Sequence, residues 1–228
     1  VARGSTQLSF GRRATSVCDL YVTGGSAAAF VEWFTAAERD DYAHSMVAAN
    51  PDHSRWYIKR FRDLEAAGND IVGEARLIDA MLPRGSRALD AGCGPGRLGG
   101  YLHRVGHTVV GVDVDPALIE AAEQDHPGPT WIAANLADLD LPAHGVDDGF
   151  DAIVCAGNVM TFLAPSTRTD VLRAFERHLR VDGRAVVGFG AGRGYSFDDF
   201  FADARAAGLE IDLRLATWDL RPFTDSSD

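Results

Sequence analysis

The chain has 228 residues, 46% of them hydrophobic, so it can bury the core of one domain with an appendage. Its 33 acidic residues outnumber 22 lysines and arginines, for a net charge of −11. Affinity for a phosphate backbone depends on Lys and Arg, so we expect no nucleic-acid partner.

Three cysteines, Cys18, Cys93 and Cys155, lie far apart in the sequence. Their spacing excludes a disulfide framework and a cysteine metal site, and it favours a reducing compartment. We expect no metal. No apolar run approaches the roughly 20 residues that a membrane span requires. The first 30 residues also lack a run of signal-peptide type. We therefore expect a cytoplasmic protein with no membrane partner.

The first 72 residues divide into two parts. Residues 1–28 are rich in Gly, Ser, Thr and Arg without periodicity, and we expect a loosely ordered arm. Residues 29–72 are predicted to form an N-terminal helical cap, since helical spacing places Trp56, Ile58, Phe61 and Leu64 on one face. The remaining residues, 73–228, are predicted to form the main domain.

From Ile71 onward, helical and strand patterns alternate. A helix over Ile71–Met81 stops at Pro83, as a helix should. Strands are then predicted at Ala88–Leu89, Thr108–Val112, Trp131–Ala133, Phe150–Cys155, Ala185–Phe189 and Leu209–Leu215, with helices between them. This alternation predicts an α/β fold with a Rossmann-like, doubly wound, mostly parallel sheet and helices on both faces.

A glycine-rich turn follows the first of these strands and opens a helix, with the pattern Asp90-x-Gly92-x-Gly94-x-Gly96. Glycines suit a sharp turn that approaches a ligand closely, and the helix N-terminus beyond offers free N–H groups. Asp113 ends the next strand, where a carboxylate can accept both hydroxyl hydrogens of a ribose.

Two cofactors are compatible with this turn. Dinucleotide sites favour G-x-G-x-x-G, whereas here the third glycine comes one residue early. Asp90 would repel a pyrophosphate but would attract a sulfonium or an ammonium group. The residues therefore favour S-adenosylmethionine, with a nicotinamide dinucleotide as the alternative.

The segment Ala88–Arg97 resembles the first motif of class I S-adenosylmethionine-dependent methyltransferases. Later segments resemble further motifs in the family's order: Gly111–Pro116, Phe150–Asn158 and Leu179–Gly190. The resemblance covers roughly residues 74–220. Within the family, His53–Phe61 and Gly73–Leu77 resemble a group of bacterial members of unassigned substrate.

The resemblance implies a cofactor site on the turn, the following strand ends and the loops after them. Its expected residues are Asp90, Gly92, Gly94, Gly96, Arg97, Asp113, Val114, Asn135, Leu136, Ala156 and Gly157. Asn135 stands where the family often has an acid, and its side-chain carbonyl can accept the same hydrogen bond. From the cap, Tyr57 is a candidate lid, and Arg60 or Arg97 is a candidate partner for the cofactor's carboxylate.

Methyl transfer is an in-line displacement on an activated methyl group, so the sequence does not require a general base. The candidates for contact with the acceptor are His53, Tyr57, Asn158 and Tyr195. His53 could remove a hydroxyl proton, or it could be a solvated loop histidine. Tyr195, with Arg193, is predicted to reach into an acceptor pocket.

The acceptor is predicted to be a small molecule, because Asn158 is followed by Val159 and Met160 rather than by the Pro-Pro-aromatic run of amino-group methyltransferases. Two other functions remain open: a sensor that binds S-adenosylmethionine or its demethylated product without catalysis, and a nicotinamide-dependent oxidoreductase. Class I sheets usually end with a seventh, antiparallel strand, and no apolar run after Leu215 supplies one.

Overall fold

We describe the protein from a computed structural model, which covers residues 52–224 and the backbone strand Thr15–Cys18. Within these residues seven strands form one sheet: β1 Thr15–Cys18, β2 Arg87–Ala91, β3 Thr108–Asp113, β4 Thr130–Ala133, β5 Phe150–Cys155, β6 Leu179–Val187 and β7 Ile211–Leu215. The helices are α1 His53–Ala66, α2 Gly73–Met81, α3 Arg97–Arg104, α4 Pro116–Asp125, α5 Val159–Phe162, α6 Arg168–His178 and α7 Phe197–Ala206.

The strands lie in the order β4-β3-β2-β5-β6-β1-β7, and every paired strand runs parallel to its neighbour. This is the predicted Rossmann-like sheet. The chain leaves β2 toward β3 on one side, and β5 pairs on the other side of β2. A crevice therefore opens at the carboxyl ends of β2 and β5, where such sheets bind ligands.

The sheet is completed by a strand that was not predicted from the sequence. β1 lies between β6 and β7 and pairs in parallel with both, so the seventh strand comes from the start of the chain. The expected loosely ordered arm thus contains a strand. The rest of residues 1–28, and the start of the cap at residues 29–51, lie outside the described residues.

The core has two layers because successive strand residues face opposite sides. On one side Leu89 and Ile153 pack with helices α6 and α7 through Phe175 and Phe200. On the other side Ala88 packs with helices α2 and α3 in a second cluster, whose members include Ile78, Leu102, Val154 and Val186. Both faces of the sheet are therefore covered, as the sequence predicts.

Side-chain caps are present at the start of two helices. The Asp115 carboxylate accepts the backbone N–H of Ala117 at 2.9 Å, with Pro116 as the first residue of α4. The Ser196 hydroxyl accepts the backbone N–H of Asp199 at 3.1 Å at the start of α7. β6 starts earlier than predicted, at Leu179 instead of Ala185. Within this strand, Asp182 has a left-handed backbone conformation (φ 64°).

Among the described residues, no helix is long and apolar enough to cross a membrane.

Candidate active site

The glycine turn connects β2 to α3 at the crevice. Its three glycines have positive φ, at 77° for Gly92, 54° for Gly94 and 81° for Gly96. L-residues adopt this left-handed region at a cost, and glycine does not. The predicted turn is therefore present at the predicted place.

The three glycines have different neighbours. A Cβ on Gly92 would lie 2.4 Å from the Val159 side chain, and one on Gly96 would lie 2.9 Å from the Trp131 ring. A Cβ on Gly94 would meet only Tyr57, at 3.4 Å. Gly92 and Gly96 are thus required for packing within the protein, whereas Gly94 lies beneath the side chain of the expected lid.

Asp113 lies at the carboxyl end of β3, next to the turn. Its two carboxylate oxygens accept the backbone N–H groups of Gly94 at 2.9 Å and of Asp115 at 3.0 Å. Burial raises the pKa of Asp113, and these backbone hydrogen bonds oppose the rise. The carboxylate is therefore held in one orientation at the crevice, beside half-buried Val114.

Asp90 is almost completely buried, with 1% of its surface exposed. Its carboxylate accepts the backbone N–H of Gly99 at 2.8 Å. Burial raises its pKa to about 7, against the lowering effects of Gly99 and of the nearby Arg97 charge. A carboxyl group in this state gains most from a cationic partner, because a nearby positive charge favours its ionised form.

Trp131 on β4 supports the turn from below, a role that sequence reasoning missed. Its ring occupies the space that a Cβ would need at Gly96, Gly99 and Gly111. Its indole N–H donates to the carbonyl of His126 at 3.0 Å. The signal that could have revealed this is the presence of glycines within α3 and β3, where they cost stability unless another group packs there.

Helix α1 covers the turn from the other side. Its Ser54 hydroxyl donates to the carboxylate of Asp115, and Arg62 forms two hydrogen bonds with Asp125 at 2.8 and 3.0 Å. These contacts join α1 to α4. The ring of Tyr57 thereby lies over Gly94, and burial raises the pKa of its phenol, so the phenol stays protonated at neutral pH.

Arg97 does not have the free guanidinium that a grip on a cofactor carboxylate would need. It donates to both carboxylate oxygens of Glu74, at 2.7 and 2.9 Å, and also to the carbonyl of Ile71. Its side chain is 14% exposed and that of Glu74 is 7% exposed. The expected direct contact is therefore replaced by an ion pair, and Glu74 is a second residue that sequence reasoning missed.

The remaining cap candidates lie at the first two turns of α1. His53 is half-buried beside Trp56 and Tyr57, and burial lowers its pKa, so its ring is neutral at pH 7. The guanidinium of Arg60 lies over the Trp56 ring, 5.4 Å from its centroid. Trp56 itself is 50% exposed. The ring of His53 thus has the protonation state that a base requires, and Arg60 lies against an exposed ring.

After β5, helix α5 contacts the glycine turn through its first residue, Val159. Asn158 has a left-handed backbone (φ 69°), and its side-chain oxygen accepts the backbone N–H of Gly190 at 2.8 Å. This hydrogen bond joins the loops after β5 and β6. Ala156 is buried and Gly157 half-buried at the start of this loop.

Across the crevice, Asn135 caps a 3-10 turn at Leu136–Asp138. Its side-chain oxygen accepts the backbone N–H of Ala137 at 3.0 Å. The Asn135 side-chain oxygen, which we expect to accept a hydrogen bond from an adenine amine, therefore already accepts one hydrogen bond within the protein. Leu136 is buried in the core, 6% exposed.

The Tyr195 side chain and the Cys93 thiol are both buried within the protein. The hydroxyl of Tyr195 donates to Asp203 at 2.7 Å, and its ring stacks on Phe189 with 3% of its surface exposed. The expectation that Tyr195 reaches an acceptor is therefore wrong. Cys93, in the turn, is 6% exposed and burial raises its thiol pKa, so it is no nucleophile.

This chain is similar to known proteins in sequence and in fold. A family profile described as a methyltransferase domain matches residues 88–183. A TehB-like S-adenosylmethionine-dependent methyltransferase of Corynebacterium glutamicum is 52% identical, with a TM-score of 0.74, over 78% of this chain and 95% of that one.

Two further proteins are less similar to this chain. The Bacillus subtilis protein YqeM, which is named as a methyltransferase, is 27% identical over 137 residues, or 60% of this chain. The chain spans about half the length of that relative, 54%. The 1,6-didemethyltoxoflavin-N1-methyltransferase of Burkholderia thailandensis shares the fold, with 20% identity and a TM-score of 0.52 over 75% of this chain and 80% of that one.

The parallel sheet, the glycine turn at its switch point and the acid ending the next strand define an α/β domain for a nucleoside-type ligand. With the identity to the Corynebacterium protein, the chain belongs to the class I S-adenosylmethionine-dependent methyltransferases.

Proposed function

We propose that this protein transfers the methyl group of S-adenosylmethionine to a small-molecule acceptor that binds between the loops after β5 and β6. The observation that supports this most is the contact of Val159 with Gly92. Because of it, the loop carrying Asn158 adjoins the glycine turn. An acceptor held by that loop lies next to a methyl donor held by the turn.

The residues of the crevice fit the cofactor. Gly94 leaves space that a Cβ would fill beneath Tyr57, and the buried Asp90 carboxyl is suited to a cationic group. We assign Asp90 to the cofactor's amino group, Asp113 to its ribose hydroxyls, Val114 and Leu136 to its adenine and Tyr57 to its cover. Gly92, Gly96, Ala156 and Gly157 shape the walls, and Asn135 borders the adenine end.

In this reaction the residues of the chain hold the cofactor and the acceptor and align them with each other. S-adenosylmethionine supplies a methyl group on a sulfonium, which needs no further activation. Orientation of two reactants contributes about 7–11 kcal/mol in well-oriented systems. Asn158 borders the acceptor, and the neutral imidazole of His53 can take a proton from an acceptor hydroxyl or amine.

A small acceptor agrees with the charge of the chain. A net charge of −11 disfavours nucleic acid, and Val159–Met160 after Asn158 departs from the motif of base-modifying enzymes.

The test is to incubate the protein with methyl-labelled S-adenosylmethionine and a cell extract separated into small-molecule, protein and nucleic-acid fractions. We expect label in a small-molecule product that is separated from S-adenosylmethionine, and no such product with the Asp90→Asn variant. Label confined to protein or nucleic acid would overturn the proposed acceptor class. Tight S-adenosylhomocysteine binding without label in any fraction would instead indicate the sensor.

A further inference from the structure

Glu74, in the first turn of α2, is a buried acid outside the cofactor motifs described above, in the segment Gly73–Leu77 that resembles a bacterial group of the family. It is 6% exposed, and both of its carboxylate oxygens accept hydrogen bonds from Arg97. Burying a carboxylate costs several kcal/mol unless it is paired, and removal of one partner leaves the other charge uncompensated. The ion pair between Glu74 and Arg97 is therefore a buried contact of fixed geometry, unlike a solvent-exposed ion pair.

Arg97 joins three parts of the protein at this point. It is the first residue of α3, directly after Gly96 of the glycine turn. It also donates to the Ile71 carbonyl before α2, and its guanidinium lies over the Phe61 ring of α1, 5.3 Å from the centroid. One side chain thus links the turn, α2 and the covering helix.

The link continues to the crevice through two aromatic rings. Phe61 contacts Tyr57 edge to face, with centroids 4.9 Å apart, and Tyr57 lies over Gly94. Tyr57, above the turn, therefore packs against Phe61, and Phe61 packs on the guanidinium of Arg97. Arg97 is oriented by Glu74.

We propose that Glu74 is a positioning residue for the cofactor site: it fixes Arg97 as a platform on which Phe61 and Tyr57 rest. This inference depends on the proposed function in one respect, namely that Tyr57 covers the bound cofactor. Without Glu74, the guanidinium of Arg97 turns away from Phe61, and the Tyr57 ring no longer closes on the turn. The cofactor then dissociates faster, although no residue that touches it has been changed.

The experiment measures S-adenosylhomocysteine affinity by calorimetry for wild type, Glu74→Gln, Tyr57→Ala and the double variant, each confirmed as folded by circular dichroism. We expect Glu74→Gln to weaken binding about tenfold, or about 1.4 kcal/mol. In the double variant we expect no loss beyond that of the weaker-binding single variant, because both changes remove the same cover. If each substitution instead weakened binding through a general loss of stability, the two fold-losses of affinity would multiply in the double variant.

The matched control is Asp70→Asn, which breaks the ion pair between Asp70 and Arg76 beside the same helix. That pair is about half exposed, 57% and 50%, and we expect affinity within twofold of wild type. If Glu74→Gln does not fold, Phe61→Leu removes the ring between Arg97 and Tyr57, and we expect a several-fold loss.

Three results would overturn the inference. The first is that Glu74→Gln binds S-adenosylhomocysteine as tightly as wild type. The second is that the two fold-losses multiply in the double variant. The third is that Glu74→Gln does not fold and Phe61→Leu binds as tightly as wild type. If wild type binds no S-adenosylhomocysteine, the proposed function fails and this inference fails with it. If wild type binds and the variants are unaffected, only the role of Glu74 fails.

Discussion

At the scale of single residues, the glycines of the turn after β2 meet different constraints. Gly92 faces Val159 of the acceptor-side loop, and Gly96 faces Trp131 beneath the turn. Only Gly94 lies under Tyr57. The spacing of the motif therefore reflects packing inside the protein as much as contact with a ligand.

We expect Gly92→Ala to destabilise the fold by about 2 to 5 kcal/mol, because a Cβ both meets Val159 and strains a left-handed backbone. Adding Val159→Ala relieves the contact but not the strain. The double variant should therefore recover about 1 to 3 kcal/mol relative to the sum of the single changes. Urea unfolding of all four proteins measures this coupling, and strictly additive effects would contradict it.

The buried Asp90 predicts a pH dependence. Its pKa is about 7 in the folded protein against 3.8 ordinarily, so the folded state binds its proton more tightly. Its contribution to stability is fully present below about pH 4 and is lost as the pH rises through 7.

We expect the free energy of unfolding of wild type, relative to Asp90→Asn, to fall by on the order of 4 kcal/mol between pH 4 and 8. Urea titrations at several pH values measure this difference. Curves for the two proteins that run parallel across this range would show that Asp90 is not held protonated by burial.

At the scale of elements, the periodic segments could be predicted from the sequence and the long-range contacts could not. β5 was predicted residue for residue, because apolar runs and caps are local signals. The strand at Thr15–Cys18 was missed because its pairing partners lie more than 160 residues away. Trp131 and Glu74 were missed because their partners, the glycines of α3 and Arg97, are brought close only by the fold.

Tyr195 shows the same limit at the candidate site. A loop tyrosine next to glycines looks free in sequence, yet Asp203 of α7 and Phe189 hold it in the core. The turn after β2 and the acid ending β3 were predictable because each is encoded in a short local segment. The acceptor side depends on how separate loops meet.

Asp115, directly before α4, forms hydrogen bonds with both α4 and the covering helix α1. It caps α4 through Ala117 and accepts the Ser54 hydroxyl of α1. We expect Asp115→Ala to cost about 1 to 2 kcal/mol, Asp115→Asn distinctly less, and Ser54→Ala to separate the contribution of α1. Thermal or urea unfolding measures these changes, and equal losses in the Ala and Asn variants would contradict the capping role.

At the scale of the whole molecule, Cys93 and Cys155 are buried in two separate hydrophobic clusters. Both thiols have pKa values raised by burial. In a Cys18→Ser background we expect both to react with a disulfide reagent only when the protein unfolds. Bound S-adenosylhomocysteine should slow labelling further, because a ligand of the folded state lowers the unfolded population. Rapid labelling of the native protein would show that the core is open at the turn.

The central claim is that the glycine turn and Asp113 hold S-adenosylmethionine, and calorimetric titration with S-adenosylhomocysteine tests it most directly. The matched control is Asp151→Ala, since Asp151 also accepts a backbone N–H, that of Arg87 at 2.7 Å, but at the opposite end of the sheet. We predict that wild type and Asp151→Ala bind alike, that Asp113→Ala binds at least tenfold more weakly, and that NADH does not compete. Unchanged affinity in Asp113→Ala, or tighter binding of NADH, would contradict the account.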